Sequence, residues 1–274
     1  MTFYPAPGKL NLFLHVLGRR DDGYHELQTV FRLVERSDQV RIALREDSRI
    51  RRSGAVFEND LCVGAATLLK DVSGCAKGCD ISLEKNLPVG GGMGGGSSDA
   101  ATVLLVLNRL WEINLAKKEL LELSARLGAD VPFFLFGESA IGEGAGERLR
   151  ALALAPAWYL VLTPQVAVST KEIFSDASLT RDTKRLKIPP FLSGQGVNDL
   201  EPVVSRRFPG VAAHLAWLKK RVPGARMTGS GACVFAEFRT EAEALALQAE
   251  LPGEMRGFVT RGLDRHPLHD WAGQ

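Results

Sequence analysis

The sequence predicts an α+β fold in two halves, and three observations carry that prediction. Apolar or alternating runs of strand length are interleaved with helical spacings along most of the chain. Glycine, 28 of 274 residues, is clustered at turns instead of being spread evenly. A change of pattern near 155–160 separates residues 1–156 from 157–274, with the polar, Pro- and Gly-bearing stretch 181–196 as the alternative boundary.

The elements follow in order. Asn11–Leu17 and Leu27–Leu33 are apolar strands separated by Gly18-Arg-Arg-Asp-Asp-Gly-Tyr-His, a turn with two glycines. Gln39–Leu44 alternates polar and apolar residues, as a half-buried strand does. Asn59–Lys70 has helical spacing, and Asp80–Glu84 is a short strand running into a glycine cluster. Ser97–Trp111 has an almost wholly apolar flank, which predicts a helix buried on most sides. Lys117–Leu127 is an amphipathic helix with Gly128 as its C′ residue, and Ala157–Thr163 is a buried strand. Beyond the 181–196 excursion come helices at Leu200–Arg207 and Val211–Arg221, a strand at Ala232–Phe238, a helix at Glu241–Leu251 and a closing strand at Arg256–Arg261. Asp264–Gln274 carries no periodicity and is expected to be a disordered tail.

With 45% apolar and 24% charged residues, the composition is that of an ordinary globular enzyme. A formal charge of +2 gives no global reason to expect a nucleic-acid partner, and the short runs Arg49–Arg52 and Lys219–Arg221 read as solvated faces. Cys62, Cys75, Cys79 and Cys233 lack metal-type spacing and read as reduced thiols. His266 and His269 have no carboxylate cluster beside them and are expected to be solvated. Trp111, Trp158 and Trp217 read as packing residues. The N-terminus lacks a signal-peptide pattern and no run reaches the ~18 apolar residues of a membrane helix, so a cytoplasmic protein with no membrane partner is expected.

Pro88-Val-Gly-Gly-Gly-Met-Gly-Gly-Gly-Ser-Ser-Asp-Ala places six glycines in seven positions ahead of a helix. Backbone N–H groups free of side chains can converge on phosphate oxygens, and the helix adds its own unpaired N–H groups and dipole. Ser97 and Ser98 can cap that helix, touch a phosphate or help hold a magnesium ion. A flexible linker fits poorly between an apolar strand and a buried helix. No Lys-Ser/Thr follows, so this is not a Walker A loop, and no acid ~20 residues on completes a Rossmann turn. By itself the segment indicates phosphate and nothing more.

Three further islands are individually weak. Lys9 in Pro7-Gly-Lys-Leu-Asn-Leu can neutralise phosphate charge or be a surface lysine. Asp130 in Gly128-Ala-Asp-Val-Pro-Phe-Phe can cap a turn or accept the proton of an attacking hydroxyl. Met227-Thr-Gly-Ser-Gly-Ala-Cys-Val-Phe is either a simple hairpin or a second wall against a ligand.

Their order is specific. Pro7–Leu12, Pro88–Ala100 and Thr228–Ala232 together resemble the three motifs of the GHMP small-molecule kinases, the superfamily of galactokinase, homoserine kinase and mevalonate kinase. Within it, Asp22-Gly-Tyr-His-Glu-Leu, Gly128–Phe134 and Asn198-Asp-Leu-Glu are similar to the family acting on 4-diphosphocytidyl-2-C-methyl-D-erythritol. The resemblance implies a two-domain fold with a ribosomal-protein-S5-domain-2-like N-terminal half carrying ATP and an α+β C-terminal half on the substrate side. It implies transfer of the γ-phosphoryl group of ATP, with Mg²⁺, to the 2-hydroxyl of that cytidine-diphosphate sugar alcohol in isoprenoid precursor synthesis. Lys9 and Asp130 would be the catalytic pair, Asp130 as general base. Lys85, Pro88, Gly90, Gly91, Gly92, Gly94, Gly95, Gly96, Ser97 and Ser98 would hold ATP, with Asn59 near adenine. Tyr24, His25 and Phe174 would hold the cytosine, two aromatic faces sandwiching the base, and Asn11 and Thr170 would contact substrate. No metal ligand is assigned, and a monomer or weak homodimer is expected. Gly8 departs from the family's Pro-Ala-Lys pattern, a small-for-small change that should leave Lys9 in place. The competing expectations are another GHMP kinase, of homoserine or mevalonate type, or a non-catalytic nucleotide- or RNA-binding protein.

Overall fold

The computed structural model describes residues 2–54, 60–187 and 196–271. Strands β1 (Thr2–Arg19) and β2 (His25–Arg45) form one long antiparallel hairpin. The two runs read separately in the sequence, Leu27–Leu33 and Gln39–Leu44, are therefore one strand. Its middle carries an irregularity where the register shifts between Pro7 and Gly8, pairing Pro7 with Ser37 but Gly8 with Val34. Extra residues on one strand bend it and raise its twist. The bend lets a single strand serve several neighbours, and it falls immediately before Lys9.

Further strands are β3 (Ile50–Ser53), β4 (Gly78–Glu84), β5 (Ala140–Gly144), β6 (Arg148–Ala151), β7 (Trp158–Leu162), β8 (Arg226–Met227), β9 (Val234–Phe238) and β10 (Gly257–Leu263). They join in the order β3-β4-β2-β10-β7-β9-β8, while β1 and β5 also pair with β2 and β6 pairs with β5. The sheet is continuous across the two halves because β10 pairs with β7 along its length and with Leu33 and Val34 of β2 at its end.

Helices α1 (Leu61–Ser73), α2 (Gly95–Leu110), α3 (Lys117–Ser124) and α4 (Val131–Phe136) cover the first half. Asp60 caps α1 by accepting from the N–H groups of Cys62 and Val63, and left-handed Gly74 ends it. Helix α2 is buried without a break from Ser98 to Asn108, as its apolar flank predicts. The C-terminal half contributes α5 (Thr170–Ser175), α6 (Glu201–Arg207), α7 (Pro209–Arg221) and α8 (Glu241–Ala249). Each half has its own apolar cluster. A third cluster, with Leu10, Phe13, Leu87 and Met93 from one half and Tyr159 and Phe235 from the other, fills the seam under the glycine loops. Among the described residues no helix is long and apolar enough to cross a membrane.

Three expectations are corrected. Helix α3 ends at Ser124 with Ala125 as its C-cap, and short turns through Arg126 and Leu127 carry the chain on, so Gly128 is not its C′ residue. Helix α2 begins at Gly95 and is capped by Gly94 in the left-handed region, not by Ser97 or Ser98. The C-terminal segment is held as far as Trp271. His266 is only 2% exposed and donates its N–H to Gly137, Leu268 is buried, and Trp271 packs edge-on against Tyr4 with Arg109 over its ring. These anchors are irregularly spaced, so they leave no period in the sequence. The four cysteines are free thiols.

Candidate active site

A cleft of about 560 Å³ runs along the seam, from Asp60, Leu61 and Leu83 past the glycine segment to Thr170 and Phe174. Gly90, Gly92 and Gly94 have φ of +68°, +77° and +70°, values that L side chains rarely adopt. The glycines serve different contacts. A Cβ on Gly92 would lie 2.3 Å from the Thr228 carbonyl oxygen, so here the second glycine turn presses directly on the first. A Cβ on Gly96 would meet nothing nearer than Leu61 at 4.0 Å, so this part faces open space. Ser98 donates its N–H to the Gly94 carbonyl at 2.9 Å, the first rung of the α2 ladder. The N–H groups of Gly95, Gly96 and Ser97 precede that rung and carry the positive end of the helix dipole.

Lys9 is 3% exposed, and its Nζ donates to Asn11 Oδ1 at 2.5 Å and lies 3.5 Å from Asp130 Oδ2. Asn11 is fixed in turn, donating from Nδ2 to Thr29 Oγ1 at 2.8 Å and from its backbone to Thr228 Oγ1 at 2.9 Å. Asp130 occupies the N-cap position of α4 but makes no side-chain capping bond. Its carboxylate instead faces Lys9 across the cleft. The alternative left by the sequence, an aspartate that merely caps a turn, does not fit this geometry.

Lys85 is engaged on its own side. Its Nζ bonds Asp38 Oδ2 and, at 2.6 Å, Asp99 Oδ2. Asp38 is fully buried and also accepts the N–H groups of Asn86 and Leu87, which fixes the backbone entering the glycine segment. Burial pushes the Asp99 carboxyl up to about 7, with Lys85 opposing and the Asp38 carboxylate reinforcing the shift. Two buried carboxylates share one ammonium group, and Asp99 Oδ1 has no hydrogen-bond partner among the described residues.

At the other end, Thr170 Oγ1 lies 2.7 Å from Ser230 Oγ, joining the start of α5 to the second glycine turn. The rings of His25 and Phe174 are 5.0 Å apart at an interplanar angle of 34°. Phe174 lines the cleft, whereas Tyr24 is 63% exposed in the turn between β1 and β2. The fold thus brings together Lys9, Asn11, Lys85, Pro88, the glycines, Ser97, Asp130, Thr170 and Phe174, with the His25 ring beside that of Phe174. Ser98 is a correction: it is buried and spends its hydroxyl on the Pro7 carbonyl at 2.7 Å, so it braces the loop from behind. Asn59 lies outside the described residues. Sequence reasoning missed Thr29, Asp38 and Arg181, and it gave Asp99, Asn198 and Thr228, each inside a quoted motif, no role of its own. Asn198 Nδ2 donates to the carbonyls of Met227 and Gly229 and so holds the second glycine turn. The partners of these residues lie far away in sequence, so no local spacing marks their roles.

Residues 60–138 match the family model of the GHMP kinases N-terminal domain, and 176–257 match that of the GHMP kinases C-terminal domain. The chain is 58% identical, over 98% of its own length and 94% of the relative's, to a 4-diphosphocytidyl-2-C-methyl-D-erythritol kinase of Nitrosospira multiformis. This chain belongs to that kinase family. A relative of the same name from Thiobacillus denitrificans is 57% identical over 98% of both chains. A crystal structure of 4-(cytidine 5'-diphospho)-2C-methyl-D-erythritol kinase superposes with a TM-score of 0.85 at 33% identity, covering 96% of this chain and 100% of the other. As a GHMP kinase, this enzyme is an ATP-dependent small-molecule kinase of two-domain α+β build.

Proposed function

We propose that the enzyme transfers the γ-phosphoryl group of ATP to the 2-hydroxyl of 4-diphosphocytidyl-2-C-methyl-D-erythritol. The observation that carries this reading is the uncapped Asp130 carboxylate, 3.5 Å from Lys9 Nζ, between the glycine cradle and the aromatic end of the cleft. Asp130 accepts the hydroxyl proton as the substrate oxygen attacks phosphorus. The bond from the γ-phosphorus to the β–γ bridging oxygen breaks, and ADP leaves. Lys9, held by Asn11, offsets the negative charge on the transferring group.

The cradle is suited to triphosphate oxygens, since it opens at Gly96 while Lys85 Nζ lies beside Gly95, 3.2 Å from where a Cβ would sit. The apolar end at Leu61 and Leu83 is suited to the purine of the donor. Among the described residues no three His, Cys, Asp or Glu side chains gather as a metal site. Magnesium arriving with ATP would therefore take most of its ligands from phosphate oxygens and water, within reach of Ser97 and Asp130. Residues 1–156 would form the donor half and 157–274 the acceptor half, although the base site draws on His25 and Tyr24 of the first and Phe174 of the second.

The test is ADP release coupled to a detectable reaction, with this acceptor, homoserine and mevalonate compared at equal enzyme concentration. Turnover with the cytidine compound alone is expected. Turnover confined to homoserine or mevalonate would overturn the acceptor and leave the phosphoryl-transfer site intact.

A further inference from the structure

Arg181 opens the stretch in which the sequence offers no motif, yet it makes four hydrogen bonds. Its Nη2 donates to the carbonyls of Phe174 at 2.9 Å and Asp176 at 2.8 Å, and Nη1 donates to the carbonyl of Leu179 at 3.1 Å. Its Nε donates to His25 Nε2 at 3.1 Å. One guanidinium thus ties the end of α5, which carries Phe174, to the first residue of β2, which carries His25. The tilted ring pair of His25 and Phe174 is the consequence.

A guanidinium has no acceptor, so the imidazole nitrogen facing it must be the unprotonated one. The remaining proton then sits on Nδ1, whose N–H has no acceptor among the described residues. We infer that Arg181 is a positioning residue for the acceptor site, holding His25 as the neutral Nδ1–H tautomer so that it donates to an acceptor atom on the edge of a planar base stacked at Phe174. The inference rests on the proposed acceptor only for the identity of that base.

The charges around His25 favour the neutral ring. Arg181 faces it from the segment after α5, and Arg19 pairs with it across β1. Burial lowers its pKa, and both arginines lower it further. The nearby carboxylates are engaged elsewhere: Asp22 with Arg20 and the Tyr24 N–H, Glu26 with Arg148, and Asp176 with Ser178.

The test uses the full chain with ¹⁵N-labelled histidine, the His25 signals being assigned by their loss in His25→Gln. Arg181→Met removes the donor and its charge; Arg181→Gln keeps a donor without the charge. The wild type is expected to hold Nδ1–H at pH 7.5. In Arg181→Met the ring is expected to lose that fixed tautomer and to titrate nearer 6.5, while Arg181→Gln keeps Nδ1–H. KM for the cytidine acceptor should rise about tenfold in Arg181→Met, the equivalent of ~1.4 kcal/mol, and climb further below pH 6.5, with KM for ATP unchanged. Loosening of α5 alone would raise KM without altering the tautomer. Nε2–H in the wild type, or an unchanged tautomer in Arg181→Met, overturns the inference. Should the enzyme prefer another acceptor, the proposed substrate fails while the tautomer measurement still decides Arg181.

Discussion

Thr228 Oγ1 accepts the backbone N–H of Asn11 at 2.9 Å, joining residues 217 positions apart. The same hydroxyl lies 3.4 Å from the Gly92 carbonyl. One threonine therefore links the strand bearing Lys9, the phosphate-type glycine loop and the second glycine turn. Thr228→Val keeps the shape and removes the hydroxyl, leaving a buried N–H without an acceptor at a cost of about 1–3 kcal/mol. Urea denaturation should register that loss, and turnover should fall because Asn11 positions Lys9. Thr228→Ser should recover most of both. A Thr228→Val enzyme as stable and active as wild type would deny the hydroxyl this role.

Asp130 separates a chemical from a structural role in one variant. An aspartate that capped α4 would cost about 1 kcal/mol on conversion to alanine, but this carboxylate makes no capping bond. Asp130→Ala should therefore melt close to the wild type and bind ATP as well, while turnover falls by roughly 10²–10⁴, the range for losing a general base. Paired melting and steady-state rate measurements check it. A rate near wild type would remove the residue from the chemistry.

What the sequence made legible depended on how far away each residue's partner lies. Helix α2 and strand β7 lie within a few residues of their predicted limits because burial imposes a continuous apolar run on each. The hairpin of β5 and β6 went unread. Gly142 and Gly144 break its strand pattern, and a Cβ on Gly142 would collide with the Phe31 ring. The islands Lys9, Asp130 and Gly90–Ser97 were legible as motifs because ligand chemistry demands local runs of particular types. Asp38 and Arg181 were not, since each acts on backbone or side chains distant in sequence and leaves no local pattern, and Asn198 was legible as part of a motif but not in its role.

The Asp38–Lys85–Asp99 group makes a signed prediction about pH. Asp99 titrates near 3.8 when unfolded and is raised to about 7 in the fold by burial. Between those values the folded chain holds the extra proton, so this group's contribution to stability falls as pH rises, by at most about 1.4 kcal/mol per pH unit. It is fully present below about 4 and lost on passing 7. Asp99→Asn keeps an acceptor for Lys85 without the charge, so it should gain on the wild type as pH rises from 5 to 8. Urea midpoints of both proteins at the two pH values test this. A variant that loses more ground at pH 8 than at pH 5 would show that the second carboxylate stabilises the pair.

His266 acts with the opposite sign. Burial, helped by His269, lowers its pKa to about 3, and its Nδ1 accepts the Leu268 N–H at 3.0 Å, so the folded ring is neutral. The unfolded chain takes up a proton below 6.5 that the folded chain refuses until about 3. Its contribution is therefore fully present above 6.5 and lost as pH falls through that window. Over pH 4–6.5 this slope opposes that of Asp99, so the wild-type curve alone hides both and only variants separate them. His266→Asn can still accept from Leu268 through its amide oxygen but cannot titrate. Its stability should fall less than the wild type's between pH 7.5 and 5, and amide exchange at Leu268 should accelerate in acid only in the wild type. Equal acid losses in the two proteins would place the acid sensitivity elsewhere than in the anchor that holds the C-terminal segment against Gly137.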